Sequence, residues 1–167
     1  MRILVFLCLL LTVCLAVSAG AVKKIDYTKD RVPAAEFAIF PWGGIPAINS
    51  PGAFWGSTDS YDSVMKDLWE CGFNMAGFSP FKAVPYARKY GLSVLVEDGK
   101  FSGDIPYEKA VEVCKKYLAP YKNDPALLGI CLRDEPNTAD FPYLGKWAKA
   151  IVAADPGKLP YINLLPN

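Results

Sequence analysis

The sequence predicts an α/β fold: a parallel sheet of about five strands with intervening helices, as in part of an eight-fold (β/α)8 barrel. Three observations carry this. From residue 35 onward, apolar runs of strand length alternate with segments of helical periodicity, and regular alternation implies parallel strands joined by crossover helices. The run Leu127-Leu128-Gly129-Ile130-Cys131-Leu132 has no polar alternation and stops at Arg133-Asp134-Glu135-Pro136, which reads as a strand buried on both faces. Polar or aromatic residues stand at several strand ends, namely Trp42, Ser79, Glu97, Asp134-Glu135 and Asn163 or Asn167, and strand carboxyl ends carry the chemistry of such barrels. An open doubly wound sheet is the competing architecture. Gly43-Gly44 leads into a long loop rather than a helix, and no phosphate-cradling glycine loop occurs, so a dinucleotide site lacks its anchor.

The elements follow in order. Residues 36–40 are a candidate first strand ending at the turn Pro41-Trp42-Gly43-Gly44, with a Pro-, Gly- and Ser-rich loop after it that holds Phe54 and Trp55. Residues 59–71 are helical: Tyr61, Val64, Met65, Leu68 and Trp69 recur at one-face spacing. Thr58, Asp59 or Ser60 supplies an N-cap oxygen, and Gly72 suits the left-handed position after the helix. A second strand (73–78), a short helix (80–90) closed by Gly91 and a third strand (92–96) ending at Glu97 come next. Pro106 fits the first turn of the following helix with Asp104 as its cap. Its buried stripe is Tyr107, Ala110, Val111, Cys114 and Leu118, and Asn123-Asp124-Pro125 breaks it. The 127–132 strand leads to a helix over 138–154 with Phe141, Leu144, Ala148, Ile151 and Val152 on one side. Asp155-Pro156-Gly157 stops that helix, and residues 159–165 are the fifth strand.

The first segment is expected to leave before folding. Met1-Arg2, the apolar run 3–17 and the small residues at 18–21 form a secretory signal peptide, taken as 1–19. Its apolar core is shorter than the roughly 20 residues a spanning helix needs. The expected location is therefore secreted or periplasmic. Leu11-Thr12-Val13-Cys14 offers only a faint lipoprotein pattern, since Val13 is bulky and the apolar run continues past Cys14. Residues 20–34 form a polar lead-in and 35–167 the sheet-and-helix unit. A closed barrel needs ~250 residues. The 167 residues here hold about five strands, so the expectation is the N-terminal part of a longer barrel, against a five-stranded sheet complete as it stands.

Composition excludes several functions. Arg2 is the one charge lost with the signal, so 18 basic and 17 acidic residues leave the mature chain near neutral. Nothing in that balance steers nucleic acid or an anionic membrane. The sequence contains 0 histidines, which removes a Ser-His-Asp triad, a histidine zinc site and a histidine base. Of 5 cysteines, Cys8 and Cys14 fall in the signal. Cys71, Cys114 and Cys131 each sit on an apolar stripe and read as small core residues, with a Cys71–Cys114 bridge as the alternative.

The chemistry centres on Glu135. Glycosidic cleavage commonly uses two carboxyl groups, one protonating the leaving oxygen and one attacking carbon or activating water. A Glu at a strand tip beside a Pro-stiffened loop suits the first role. The other reading of Asp134-Glu135 is an acidic helix-capping loop. Trp42, Phe54, Trp55 and Tyr61 are ring faces that could take the C–H face of a sugar. Trp42, on the strand-end turn, is the best platform, whereas Tyr61 lies on the apolar stripe of its helix. Asn74 reads as buried rather than at the site.

Asp134-Glu135-Pro136, following the fourth strand, resembles the Asn-Glu-Pro setting of the acid/base glutamate in clan A glycoside hydrolases, which are retaining TIM-barrel enzymes. Trp42-Gly43-Gly44, Glu70-Cys71-Gly72-Phe73-Asn74, Asp155-Pro156 and Leu159-Pro160-Tyr161-Ile162-Asn163 look like secreted beta-galactosidase-type relatives. The resemblance implies a secreted glycoside hydrolase acting on an oligo- or polysaccharide. Glu135 would be the general acid/base, with Trp42, Asp134, Glu97 and Asn163 as substrate-binding residues and no metal or organic cofactor. It also implies a nucleophile after a seventh strand, beyond Asn167. Glu97 does not match that position and is a rim residue or substrate contact. Asp134 replaces the family's Asn, and an ionised carboxylate accepts where the amide would donate. A non-catalytic carbohydrate-binding barrel relative is the alternative function.

Overall fold

The computed structural model describes residues 26, 32, 34, 36–45, 47–48, 57–58 and 60–164. The expected signal peptide, most of the lead-in, Phe54, Trp55 and residues 165–167 lie outside the described residues. The elements are the two-residue strands β1 (Ala47–Ile48) and β2 (Ser57–Thr58), then α1 (Tyr61–Glu70), β3 (Met75–Ser79), α2 (Val84–Lys89), β4 (Ser93–Glu97), α3 (Tyr107–Leu118), β5 (Leu127–Asp134), α4 (Phe141–Ala154) and β6 (Leu159–Asn163). Short 3-10 turns precede α2 and α4, and others follow β4 and α3. Among the described residues no helix is long and apolar enough to cross a membrane.

β3, β4, β5 and β6 form one sheet in chain order, and every neighbouring pair is parallel. That order decides between the two architectures. A doubly wound sheet reverses its strand order and carries helices on both faces. Here each crossover steps the same way, and right-handed crossovers then put every helix on one face. The two apolar clusters agree. On the outer face Val94, Val96, Ile130 and Leu132 pack with helical Met65, Ala87, Cys114, Trp147 and Ile151. The inner face holds a smaller cluster of Met75, Leu95 and Ala34, with Phe40, Phe78, Leu128 and Tyr161 partly buried against it. This is the winding of a partial TIM barrel, with helices outside and side chains filling the inside.

Local chemistry sets most boundaries. Ser60 caps α1 by accepting from the Ser63 amide at 3.1 Å, and Gly72 (φ 97°), Gly91 (φ 65°) and Asn123 (φ 63°) take the left-handed conformations that end α1, α2 and the turn after α3. Some helix details differ from expectation. Pro106 occupies the N-cap position of α3 rather than its first turn, and Asp104 pairs with Lys146 instead of capping. Tyr107, Phe141 and Val152 are exposed, while Trp147, absent from the expected stripe, is fully buried with its indole N–H donating to the Gly103 carbonyl at 2.9 Å.

Residues 36–40 are not a strand. The chain instead lies along the edge of β3. The amides of Asn74 and Met75 both donate to the Ile39 carbonyl at 3.2 Å. Gly44 and Gly77 allow close approach: a Cβ would stand 2.4 Å from the Phe78 oxygen at Gly44 and 2.8 Å from the Pro41 oxygen at Gly77. The reason for the missing ladder is Asn74. Its buried side chain accepts from the Ile39 amide at 2.7 Å and donates to the carbonyls of Val32 (2.8 Å) and Phe37 (2.6 Å), taking groups that strand pairing would use, and Pro41 has no N–H to offer. Asn74→Ala leaves these three backbone groups without their partner. Water reaches part of this segment, so we expect a loss of about 2 kcal/mol, read as a lower urea midpoint at unchanged slope.

Candidate functional site

Glu97, Asp134 and Asn163 end three adjacent parallel strands, so they share the carboxyl edge of the sheet. Strand alternation places Glu97 on the face of Leu95 and Asn163 on the face of Tyr161, and both Leu95 and Tyr161 belong to the inner cluster. Asp134 reaches the same face through an irregularity. β5 pairs with β6 as Cys131↔Tyr161, Arg133↔Ile162 and Asp134↔Asn163, with a register shift between Cys131 and Arg133. The extra residue is a β-bulge, which re-aims the side chains beyond it. The Asn163 amide then donates to Asp134 Oδ1 at 2.7 Å.

Cys131 lies beneath this lip. Its thiol is pushed up to about 12 by burial first and then by the carboxylates of Glu97 and Asp134. Tyr161 is also shifted upward, mainly by burial, with Cys131 and Asp134 adding to it. Burial alone pushes Cys114 up to about 11. In the unfolded chain both thiols ionise near their ordinary 9.0. The unfolded state therefore binds fewer protons above that pH, and stability falls as pH rises from 9 toward 11. Each thiol contributes roughly 1.4 kcal/mol per pH unit in that window. A Cys114→Ala/Cys131→Ala variant is expected to show a flatter alkaline decline in urea midpoints. Among the described residues Cys71, Cys114 and Cys131 are all free, which removes the Cys71–Cys114 bridge. Cys71 is exposed rather than buried, because it caps α1 one residue past the helix end.

Glu135 follows directly. Its amide donates to the Asn163 carbonyl at 2.9 Å, its side chain is exposed, and its φ is 47°. A non-glycine residue in the left-handed region is held there by its surroundings at a cost of order 1–3 kcal/mol, and such positions cluster at functional sites. Asp134 and Glu135 do not cap a helix. The turn opening α4 is closed by Asn137 and Asp140, whose carboxylate accepts from the Asn137 amide at 3.1 Å.

An aromatic row crosses the inner face. Trp42, 53% exposed, meets Phe78 edge-on at 6.0 Å, and Phe78 lies 5.6 Å from Tyr161. This row connects Trp42 to the strand that carries Asn163. Ser79 is buried, with its hydroxyl donating to the Ala76 carbonyl, and is not part of the lip. Tyr61 packs on the outer core against Tyr86 at 5.6 Å. The sequence places Cys131 in the core and assigns Phe78 and Tyr161 no part in the site. Tyr161 and Phe78 had a signal in strand alternation, but the place of Cys131 depends on strand register. Chemically, the lip offers carboxylate acceptors, one amide with an N–H and a carbonyl oxygen to spare, and ring faces. Among the described residues no three His, Cys, Asp or Glu side chains gather as a metal-ligand set.

No family model matches this chain, and no curated protein matches it. Among solved structures, the chain is similar to the Pseudomonas stutzeri endoglucanase Cel5A at 18% identity and a TM-score of 0.47, over 75% of this chain and 49% of that one. The match thus spans about half the length of that structure.

Proposed function

We propose that the chain is the acid/base half of an exported carbohydrate-active hydrolase. Glu135 donates the proton to the leaving glycosidic oxygen. Asp134 and Glu97 accept hydrogen bonds from sugar hydroxyls, and Trp42 offers a ring face. Asn163, already bonded to Asp134, supplies the amide donor that the Asp134 carboxylate cannot be. The nucleophile comes from chain beyond residue 167. The observation that carries the reading is the strained backbone of Glu135 at the carboxyl edge, where three neighbouring strand tips present polar side chains.

The test is turnover of a panel of aryl glycosides and glycan oligomers by the full-length gene product and by its Glu135→Gln variant. Equal turnover removes Glu135 from the acid role. Binding of oligosaccharide without turnover by either form would favour the non-catalytic carbohydrate-binding relative, for which the aromatic row is the supporting observation.

A further inference from the structure

A cleft lies at the same carboxyl edge of the sheet, lined by none of Asp134, Glu135 and Asn163. It opens between the turn that follows β3, the turn that follows β4 and the end of α3, has a volume of about 470 Å³, and shares no residue with the inner-face cluster. Its wall is aromatic. Phe81 stacks on Tyr121 at 5.2 Å with planes 24° apart and lies 6.4 Å from Tyr117 at 25°. The Tyr121 hydroxyl donates to the Phe81 carbonyl at 3.5 Å. The rim is basic. Lys82, Lys100 and Lys116 line the cleft with Asp98 as its acid. Asp98 is taken by Lys100 at 2.8 Å. Lys100 and Lys116 each hold Nζ 5.3 Å from the Tyr117 ring centre. Among the described residues, neither Lys82 nor Lys116 has a carboxylate partner.

We infer that this cleft is a binding site for an acidic saccharide, a pyranose bearing a carboxylate or sulfate. The inference rests on the carbohydrate reading above for its choice of ring. The wall supplies an apolar aromatic surface on which the C–H groups of a sugar pack. The rim carries an unmatched positive charge that a neutral ring would leave uncompensated and an anionic group would pair by charge-assisted hydrogen bonds. Electrostatic complementarity of this kind selects one partner over its neutral analogue. The cleft's lining does not include Glu135, so its effect belongs to affinity and not to bond cleavage.

The test is calorimetric titration of the full-length chain with trigalacturonate, cellotriose, inorganic sulfate and a single-stranded oligothymidylate. Trigalacturonate is expected to bind most tightly. Lys82→Ala/Lys116→Ala should weaken it about tenfold, as loss of two exposed charge contacts implies, and leave cellotriose unchanged. Both lysines are exposed, and thermal melting verifies that the double variant is folded. Equal affinity for cellotriose, for sulfate alone or for the oligonucleotide overturns the inference, as does trigalacturonate binding that the double variant leaves intact, or no binding. Glu135→Gln should leave this binding untouched. Trigalacturonate binding in a chain that hydrolyses nothing would therefore sink the proposed activity and not this site, and the reverse result would sink this site alone.

Discussion

Glu135→Gln should lower turnover of substrates with sugar or alkyl leaving groups by about 10²–10⁴-fold, the usual range for a positioned general acid, while melting with the parent chain. The amide keeps the size of the side chain and loses only the proton. The effect should shrink with the acidity of the leaving group. A dinitrophenolate departs without protonation, so its bond-breaking step needs no help from residue 135, whereas a sugar alkoxide does. A loss that is equal for both leaving groups would point to a binding role and remove the acid assignment. A companion variant separates strain from chemistry. Glu135 holds φ at 47°, where an L-residue is strained and glycine is not. Glu135→Gly should lose the same activity yet unfold no more easily than the parent, with a gain of up to about 1 kcal/mol. The relief of strain offsets the added freedom of the unfolded chain. An ordinary exposed loop residue would show a loss on the same change.

Gly129→Ala should cost about 3 kcal/mol or more, at the upper end of what overpacking does. Gly129 is buried in β5 and pairs with Leu159 across the β5–β6 ladder. A Cβ there would stand 2.0 Å from the Leu159 carbonyl oxygen and 2.8 Å from its carbon. These are backbone atoms, so no side-chain rotation relieves the overlap, and the two strands must separate. Separation breaks the pairing that positions Asn163 against Asp134 and against the Glu135 amide. The variant should therefore show a lower urea midpoint and a loss of activity together. A loss of this size is a large part of the total stability of a domain, which is about 5–15 kcal/mol. Unchanged stability in Gly129→Ala would mean that β5 and β6 are not as closely apposed as the pairing requires.

Much of this protein was legible from its sequence for local reasons. The unalternating run ending at Arg133-Asp134 marked a strand buried on both faces, and β5 runs Leu127–Asp134. The glycines at 72 and 91, and Asn123, marked chain reversals that do take positive φ. The strand end at Glu97 followed from where an apolar run stops, whereas the strand expected over 159–165 ends at Asn163. Each of these signals lies within a few residues of the feature it sets. Other features had no such signal. Residues 36–40 carry a strand-like pattern, yet Asn74, 35 positions beyond Ile39, takes their backbone groups. Cys71 looked apolar by position and is exposed because the helix ends beneath it.

The sequence by itself determined the alternation of strands and helices and which carboxylates end strands, because hydrophobic period and turn chemistry are written along the chain. Only the tertiary structure decided the winding order of β3 to β6 and the bulge between Cys131 and Arg133 that turns Asp134 toward Asn163. It also decided the edge-on meeting of Trp42 with Phe78. These depend on pairing between distant segments. One inserted residue reverses which face every later side chain occupies, and nothing in the local pattern reports it.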